Sequence, residues 1–329
     1  MTTQSSNSPL VGIITPVHNG ADFLRQCIES VQAQTWQNWV YVILDNASTD
    51  GSGEIAAEFA ARDSRIRVVR CDDLLPIIQN HNRAFDVLLQ QVPEARYCKP
   101  LMADDRLFPT CIEQLVNAAL FNPAIGLAAC MGYDGEKALF FGLPYPSPHV
   151  PGRDIGRLAL LQCVYVCGPP SSLLIRTDLI RKLRPFYTED HMHADVEASF
   201  AMLREADLAF VHQVLTFNQP DGAPTTGARH FDVREVCALS VLLRYGSSFL
   251  DAGELTQALN NAWYDYYRAL ALGALKRNDG EYWSYHHRWL HSHGYQLDKL
   301  RLRRAVVVEG VRNLVHRTFR SMLWPWLVR

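Results

Sequence analysis

The chain has 329 residues, of which 48% are hydrophobic and 20% are charged, and its formal net charge is −2. This is the composition of a folded globular protein with room for one large domain and a smaller one, and the charge gives no signal for a nucleic-acid partner. No run of about 18 apolar residues that could span a membrane is present. The eight cysteines lack metal-binding spacing and no signal peptide precedes them, so we expect reduced thiols in a cytoplasmic protein.

Strands and helices alternate in the first part of the chain. Short apolar runs predict strands at 11–15, 40–44 and 66–69, and a fourth run begins at Tyr97. Apolar residues at helical spacing predict helices between and after these strands, at 24–31, 54–61, 85–89 and 112–119. This alternation predicts an α/β fold with a doubly wound, mostly parallel sheet.

The regular alternation fades after Cys130. Four prolines predict a loop at 142–152, and a second loop is expected at 217–230. Between them the sequence predicts helices at 155–162 and 196–203 and an apolar stretch at 173–175 that follows the turn 168–172. From Val233 onward the composition is typical of helices rich in tryptophan and tyrosine.

Polar residues follow three of the predicted strands. They are Thr15–His18, Asp45–Asn46 and Asp104–Asp105. Because ligands of doubly wound sheets bind beyond the carboxyl ends of the strands, these residues predict a ligand site at one edge. Mg²⁺ and Mn²⁺ need only one or two protein carboxylates when phosphate oxygens supply the remaining ligands. An isolated Asp-Asp pair is most often a solvated turn, but three such strand ends together favour a site.

The motifs at these strand ends resemble the N-terminal signature of family 2 glycosyltransferases. The stretches that carry the resemblance are Ile14-Thr-Pro-Val-His-Asn-Gly20, Gln34-Thr-Trp36, Leu44-Asp-Asn-Ala-Ser-Thr-Asp-Gly-Ser52 and Ala103-Asp-Asp105. The resemblance covers residues 9–130 clearly and weakens toward residue 218. It implies the GT-A fold, an inverting transfer of a sugar from a nucleotide sugar, and Mn²⁺ or Mg²⁺ as cofactor.

The resemblance also implies roles for individual residues. It assigns the donor nucleotide to Thr15, Pro16, His18, Asp45, Asn46 and Asp104, the metal to Asp105, the acceptor side to Ser171 and His193, and the catalytic base to Asp195. Asn46 stands where the family often has a second acid. Met102 and Ala103 depart from the family's metal motif, so that the metal role falls to Asp105 with Asp104 in support.

Three further acids are alternatives to Asp195 as the catalytic base. They are Glu189, Asp190 and Glu197. Asp195 itself also suits the N-cap of the helix that follows it, which would be a purely structural role. The sequence therefore leaves the base open among four carboxylates, with Asp195 favoured by the resemblance.

The resemblance divides the chain into a leader at 1–8, a GT-A domain at 9–230 and a helical region at 231–329. Residues 9–130 would be the nucleotide-binding half of the GT-A domain and 131–230 the acceptor half. The donor favoured is a UDP-sugar, and the acceptor a glycan or a lipid-linked oligosaccharide of bacterial surface polysaccharide assembly. The alternative is a non-catalytic nucleotide-sugar-binding or scaffold protein. The first strand lacks G-x-G-x-x-G, which argues against a dehydrogenase.

The last segment of the chain is strongly basic. It carries eight basic residues, Lys299, Arg301, Arg303, Arg304, Arg312, Arg317, Arg320 and Arg329, against the single acid Glu309. Apolar residues at helical spacing lie between them, as in a helix that binds the surface of an anionic membrane. Packing on the catalytic domain, or on a second subunit in a homo-oligomer, is the alternative. Membrane binding by this helix would place the protein at the inner face of the cytoplasmic membrane.

Overall fold

A computed structural model describes residues 8–139, 148–162, 167–190, 192–219, 233–276 and 280–327. The expected leader (apart from Ser8) and the parts of the expected loops at 142–147 and 220–230 lie outside these residues. The described residues form two compact units, the first within Met1–Glu189 and Ala194–Pro224, the second within Asp190–His193 and Thr225–Arg329. The seven cysteines among them are free thiols.

The first unit is built on one mixed sheet. Its strands are β1 (Val11–Val17), β2 (Trp39–Asp45), β3 (Ile66–Arg70), β4 (Tyr97–Pro100), β5 (Arg106–Leu107), β6 (Ile125–Asp134), β7 (Lys137–Leu139), β8 (His149–Val150), β9 (Leu173–Arg176) and β10 (Asp207–Asn218). The main strand order is β3-β2-β1-β4-β9-β6-β10-β5. The strands β1 to β4 are parallel, and only β9 runs against both of its neighbours, β4 and β6. The α/β fold with a mostly parallel sheet is thus confirmed.

Seven helices accompany this sheet among the described residues. They are α1 (Ala21–Gln32), α2 (Ser52–Arg62), α3 (Ile77–Gln91), α4 (Cys111–Leu120), α5 (Gly152–Gln162), α6 (Thr177–Lys182) and α7 (Ala194–Leu203). Every residue of β1 is buried, as expected for a central strand covered on both faces. Gly12 allows α3 to approach this strand, since a Cβ at Gly12 would lie 2.5 Å from Leu88 Cδ1.

The structure differs from the expected elements after Cys130. The strand β8 and the start of α5 replace the end of the loop predicted at 142–152. Asp207 explains this difference, because its carboxylate accepts hydrogen bonds from His149 Nε2 (2.8 Å) and from the backbone N–H of Gly152 (2.9 Å). The long strand β10, which ends at Asn218, was not predicted, and the predicted loop start at Phe217 lies within it. Its pairing with the distant strand β6 is a tertiary contact that local sequence does not encode.

The second unit is helical, as the composition predicted. Its described helices are α8 (Val233–Phe249), α9 (Ala252–Lys276), α10 (Gly280–Ser292) and α11 (Lys299–Leu327). Aromatic side chains form much of its core, including Tyr266, Tyr282 and Trp289. Among the described residues of the whole chain, we find no helix with the length and apolar character required to cross a membrane.

Candidate active site

The loops that follow β1 and β2 are fastened to each other at the carboxyl edge of the sheet. Hydrogen bonds that join them include Asn19 N to Ser48 Oγ (3.0 Å), Thr49 N to Asn19 Oδ1 (2.9 Å), Gly20 N to Ser52 Oγ (2.9 Å) and Ala21 N to Asp50 Oδ2 (2.9 Å). Asn19 (φ 52°) and Ala47 (φ 54°) adopt left-handed backbone conformations, which are unusual for residues other than glycine and concentrate at functional sites. The two loops therefore form one rigid edge.

Asp45 organises the loop after β2. Its side chain is 1% exposed, and its two oxygens accept hydrogen bonds from Arg70 Nη1 (2.7 Å) and from the backbone N–H of Ser48 (3.0 Å). Gly53 leaves room for this pair, because a Cβ there would lie 2.8 Å from Asp45 Oδ2. Arg70, which sequence reasoning missed, stays 56% exposed and carries a positive charge at the carboxyl end of β3.

Asn46 fixes the chain that approaches α3. Its buried amide donates to Leu75 O (2.9 Å) and accepts from Leu75 N (2.9 Å). Its own carbonyl accepts a hydrogen bond from His18 Nδ1 (2.9 Å). Asn46 thus connects three segments of the edge.

We expect Asn46→Ala to lower the free energy of unfolding by about 1–3 kcal/mol, because both backbone groups of Leu75 lose their partner in a part-buried place. Denaturant unfolding would measure the change. The matched control is Asn38→Ala, which removes an amide hydrogen bond to Ser8 O on the protein surface. Equal losses in the two variants would contradict the importance of this clamp.

The residues predicted to contact the nucleotide at the end of β1 differ in their exposure. Thr15 and Pro16 lie inside β1 with buried side chains, and Thr15 Oγ1 donates to Leu101 O (2.8 Å) and contacts the Tyr41 hydroxyl (2.7 Å). His18, after the strand, is exposed. Thr15 therefore joins β1 to the end of β4, and His18 is the side chain of this loop that a ligand could reach.

Asp105 is a buried carboxylate of this edge with three hydrogen-bond partners. It is 5% exposed and accepts hydrogen bonds from Ser171 Oγ (2.5 Å), Asn218 Nδ2 (2.9 Å) and Gln219 N (3.2 Å). Burial, with a further contribution from the neighbouring charge of Asp104, raises the pKa of Asp105 to about 6, although the hydrogen bonds from Ser171 and Gln219 and the charge of Lys99 oppose the shift. Burial also raises the pKa of Asp104, which is half-buried.

Lys99, inside the sheet, holds the backbone beside Asp105 and Ser171. Its side chain is completely buried, and its ammonium donates to Pro100 O (3.1 Å) and to Ser171 O. Ser171 in turn accepts a hydrogen bond from Met102 N (3.0 Å). The predicted acceptor-side residue Ser171 thus lies directly against the predicted metal ligand Asp105.

The donor set at Asp105 fits a hard divalent cation that receives most of its ligands from a bound substrate. No cluster of three or more His, Cys, Asp or Glu side chains able to hold a metal by itself occurs in the described parts of the chain. Next to Asp105, however, the buried oxygen Asn218 Oδ1 lacks a hydrogen-bond partner. Carboxylate and amide oxygens are ligands that Mg²⁺ and Mn²⁺ accept, and phosphate oxygens complete such sites.

Asp195 lies in the first turn of α7, one residue after its start at Ala194. It is half-buried, and its charge acts on the neighbouring side chains His81, Tyr187 and Cys167. Burial lowers the pKa of His81, whereas the charge of Asp195 opposes this shift. The helix dipole also favours a carboxylate in the first turn of a helix, so Asp195 stabilises α7 whether or not it takes part in the reaction.

His81 connects Asp195 with the loop after β4. Its Nδ1–H donates to Ile77 O (2.7 Å), which leaves Nε2 to face Met102 Sδ at 3.3 Å. Asn82, the next residue of α3, makes two hydrogen bonds of 2.8 Å to the backbone of Tyr187. The sequence carries no local signal for these contacts, because α3 and Tyr187 are far apart along the chain.

The other acids considered as bases have structural partners. Glu197 is completely buried and accepts a hydrogen bond from Thr188 Oγ1 (2.9 Å). Glu189 accepts one from Gln79 (2.9 Å). Asp190 belongs to the second unit and pairs there with Arg244. His193 also belongs to the second unit, where its carbonyl contacts Cys237 Sγ.

Comparison with known proteins agrees with the motifs at the strand ends. Residues 12–206 match the family model "Glycosyl transferase family 2". An uncharacterized glycosyltransferase of Rickettsia typhi, RT0329, is 26% identical over 243 residues, 72% of each chain. The putative teichuronic acid biosynthesis glycosyltransferase TuaG of Bacillus subtilis is 32% identical over 98 residues, which are 30% of this chain and 37% of TuaG.

Solved structures share the fold. Residues 1–349 of TarS from S. aureus, in complex with UDP-GlcNAc, superpose with a TM-score of 0.62 at 13% identity, over 90% of this chain and 88% of that one. The mannosyltransferase PcManGT from Pyrobaculum calidifontis, in complex with GDP-Man and Mn²⁺, gives a TM-score of 0.52 at 15% identity, over 94% and 88% of the two chains. The GT-A fold is therefore shared with enzymes of different donors.

Proposed function

The chain belongs to glycosyltransferase family 2, and from this premise we propose that it transfers a sugar from a nucleoside-diphosphate sugar to an acceptor hydroxyl with inversion. The observation that carries the proposal is the position of Asp105. This buried carboxylate follows β4, and the parallel strands β1 and β2, which precede the two fastened loops, lie next to it in the sheet. The proposed reaction uses the domain at 9–230.

In this proposal the fastened loops bind the nucleotide. Asp45 and Asn46 hold the edge rigid, while the exposed His18 and the half-exposed Arg70 supply side chains that can reach a ligand. Rigid loops lose little conformational entropy when a nucleotide binds. Thr15 and Pro16, which are buried in β1, would contribute indirectly, because they hold the end of this strand in place.

Asp105 would hold the divalent cation, Mn²⁺ or Mg²⁺, with Asp104 beside it. When bound, such an ion acts as a Lewis acid that stabilises the charge of the departing diphosphate. Ser171, Asn218 and Gln219 keep the Asp105 carboxylate in one orientation through their hydrogen bonds. This arrangement supports a metal-assisted reaction.

Asp195 would act as the general base. Its carboxylate takes the proton of the acceptor hydroxyl while that oxygen bonds to the anomeric carbon and the nucleoside diphosphate leaves from the opposite face. The half-buried position of Asp195, close to His81, supports this role. For the acceptor side, the resemblance supports Ser171 and His193 as candidates.

The finer identity of the substrates is proposed from the relatives. A UDP-sugar of the hexose or hexosamine class is favoured, because TarS is bound to UDP-GlcNAc. A glycan or a lipid-linked oligosaccharide is the proposed acceptor, since TuaG is named for teichuronic acid biosynthesis and RfbC of Myxococcus xanthus for O-antigen biosynthesis. The second candidate is a non-catalytic nucleotide-sugar-binding scaffold; the departure from the metal motif at Met102 and Ala103 favours it, and an absence of donor turnover would support it.

A thermal-shift panel with UDP, dTDP, GDP, CDP and ADP tests the proposal, each with Mn²⁺, with Mg²⁺ and with a chelator. We expect one nucleotide, UDP first, to stabilise the protein only in the presence of metal, by about 2.7 kcal/mol at a hundredfold excess over its Kd. A measurement of donor hydrolysis or sugar transfer then distinguishes an enzyme from a non-catalytic scaffold. No stabilisation by any nucleotide would overturn the proposed donor site.

A further inference from the structure

The helix α11 packs on the second unit with an unusual distribution of its side chains. Glu309 is 4% exposed, accepts a hydrogen bond from Arg312 (2.6 Å) and forms an ion pair with Arg268 (3.2 Å) of α9. Val307 and Val311, on the opposite face, are 65% and 56% exposed. A helix that only packs against its own unit buries its apolar face and exposes its charges. In α11, Leu302 and Ala305 pack on the core of the unit, but a second group of apolar residues stays exposed while Glu309 is buried.

The exposed apolar residues lie along one side of the helix. The apolar stripe of α11 consists of Leu300, Val307, Val308 and Val311, which are between 46% and 65% exposed. Residues four and seven positions apart lie on the same side of a helix, and this spacing joins Leu300, Val307 and Val311. Contiguous apolar surface of this kind marks an interaction site. The stripe therefore requires a partner.

Basic side chains flank the stripe. Lys299, Arg301, Arg303, Arg304 and Arg312 are exposed, whereas the one acid of the helix, Glu309, is buried. The surface that a partner meets is thus apolar along its centre and positive on both sides.

We infer that the apolar stripe of α11 lies on an anionic lipid bilayer. In this position the valines and Leu300 enter the boundary between head groups and acyl chains, and the arginines extend their guanidinium groups to lipid phosphates. A second copy of the same face fits less well, because it would bring basic side chains against basic side chains. The inference concerns the place where the protein works and does not depend on the proposed transfer reaction.

Flotation of the purified full chain with lipid vesicles tests this inference. We expect binding to vesicles that contain phosphatidylglycerol, little binding to vesicles of phosphatidylcholine alone, and a decrease of binding as salt is added. Val307→Gln/Val311→Gln should weaken binding roughly tenfold by removing apolar contact. Arg303→Gln/Arg304→Gln should weaken it by a similar factor and reduce the salt dependence.

The matched control is Leu275→Gln/Lys276→Gln, which changes an exposed apolar and an exposed basic residue at the end of α9. This variant should bind vesicles as the unchanged protein does. Equal weakening in the control would overturn the inference, as would an absence of vesicle binding. Oligomers in solution that the Val307→Gln/Val311→Gln variant dissociates, without vesicle binding, would assign the stripe to a second copy instead.

Discussion

Asp195→Asn is expected to slow sugar transfer by roughly a thousandfold while the affinity for the donor nucleotide stays unchanged. The amide has the shape of the carboxylate but cannot accept the proton of the acceptor hydroxyl. Because Asp195 lies in the first turn of α7, the substitution should cost little stability, about 0.3–1 kcal/mol from the lost interaction with the helix dipole. Steady-state kinetics together with a nucleotide-binding isotherm would measure both quantities.

Glu189→Gln provides the matched control. Glu189 is an acid near α7 in the sequence, and its carboxylate accepts a hydrogen bond from Gln79 in the same unit. We expect this variant to keep nearly full activity. If Asp195→Asn retained the activity of the unchanged protein, Asp195 would not be the base. If Glu189→Gln were the inactive variant, the role would move to Glu189.

Asp105→Asn should abolish the metal-dependent stabilisation by the nucleotide and lower transfer by at least about a hundredfold. The neutral amide is a weaker ligand for a hard cation than the carboxylate, and it cannot accept all three hydrogen bonds that reach Asp105 from Ser171, Asn218 and Gln219. Thermal shifts with UDP and Mn²⁺, measured beside transfer kinetics, give the two readouts. Asp104→Asn, at the half-buried neighbour, should have the smaller effect.

The pH dependence of stability shows whether Asp105→Asn loses activity through a change at the site or through unfolding of the protein. The fold raises the pKa of Asp105 from its ordinary value of 3.8 to about 6, so the folded protein binds this proton more tightly than the unfolded chain does. The contribution of Asp105 to stability is therefore complete below about pH 4 and is lost as pH rises through about 6. Metal-free Asp105→Asn should lack this change of stability between about pH 4 and pH 6. If Asp105→Asn were much less stable than the unchanged protein at neutral pH, its loss of activity would be due to unfolding.

Local sequence determined the elements of the nucleotide-binding side. The helix α1 buries Leu24, Cys27, Ile28 and Val31, the four residues that the periodicity indicated, because helical spacing places them on one face. The apolar runs of β1 and β2 end where polar residues begin, since a buried strand cannot continue through side chains that need solvent or partners. These features, with the motifs, were sufficient for the fold and the family.

Only the tertiary structure decided how the candidate site is built. Asn218 and Gln219 reach Asp105 across more than a hundred positions of the chain, and their contact depends on the pairing of β10 with β6. His81 meets Met102 because α3 packs beside the end of β4. Such contacts follow from packing between elements that are distant in sequence, and no periodicity within one element encodes them.

The helix α11 shows the same division between local and tertiary information. The sequence by itself determined that this segment is helical, basic and amphipathic, because spacing and composition suffice for those properties. It left open which face would be covered. The tertiary structure decided that question, because Leu302 and Ala305 pack on the core of the second unit and Glu309 pairs with Arg268 of α9, which leaves the apolar stripe exposed.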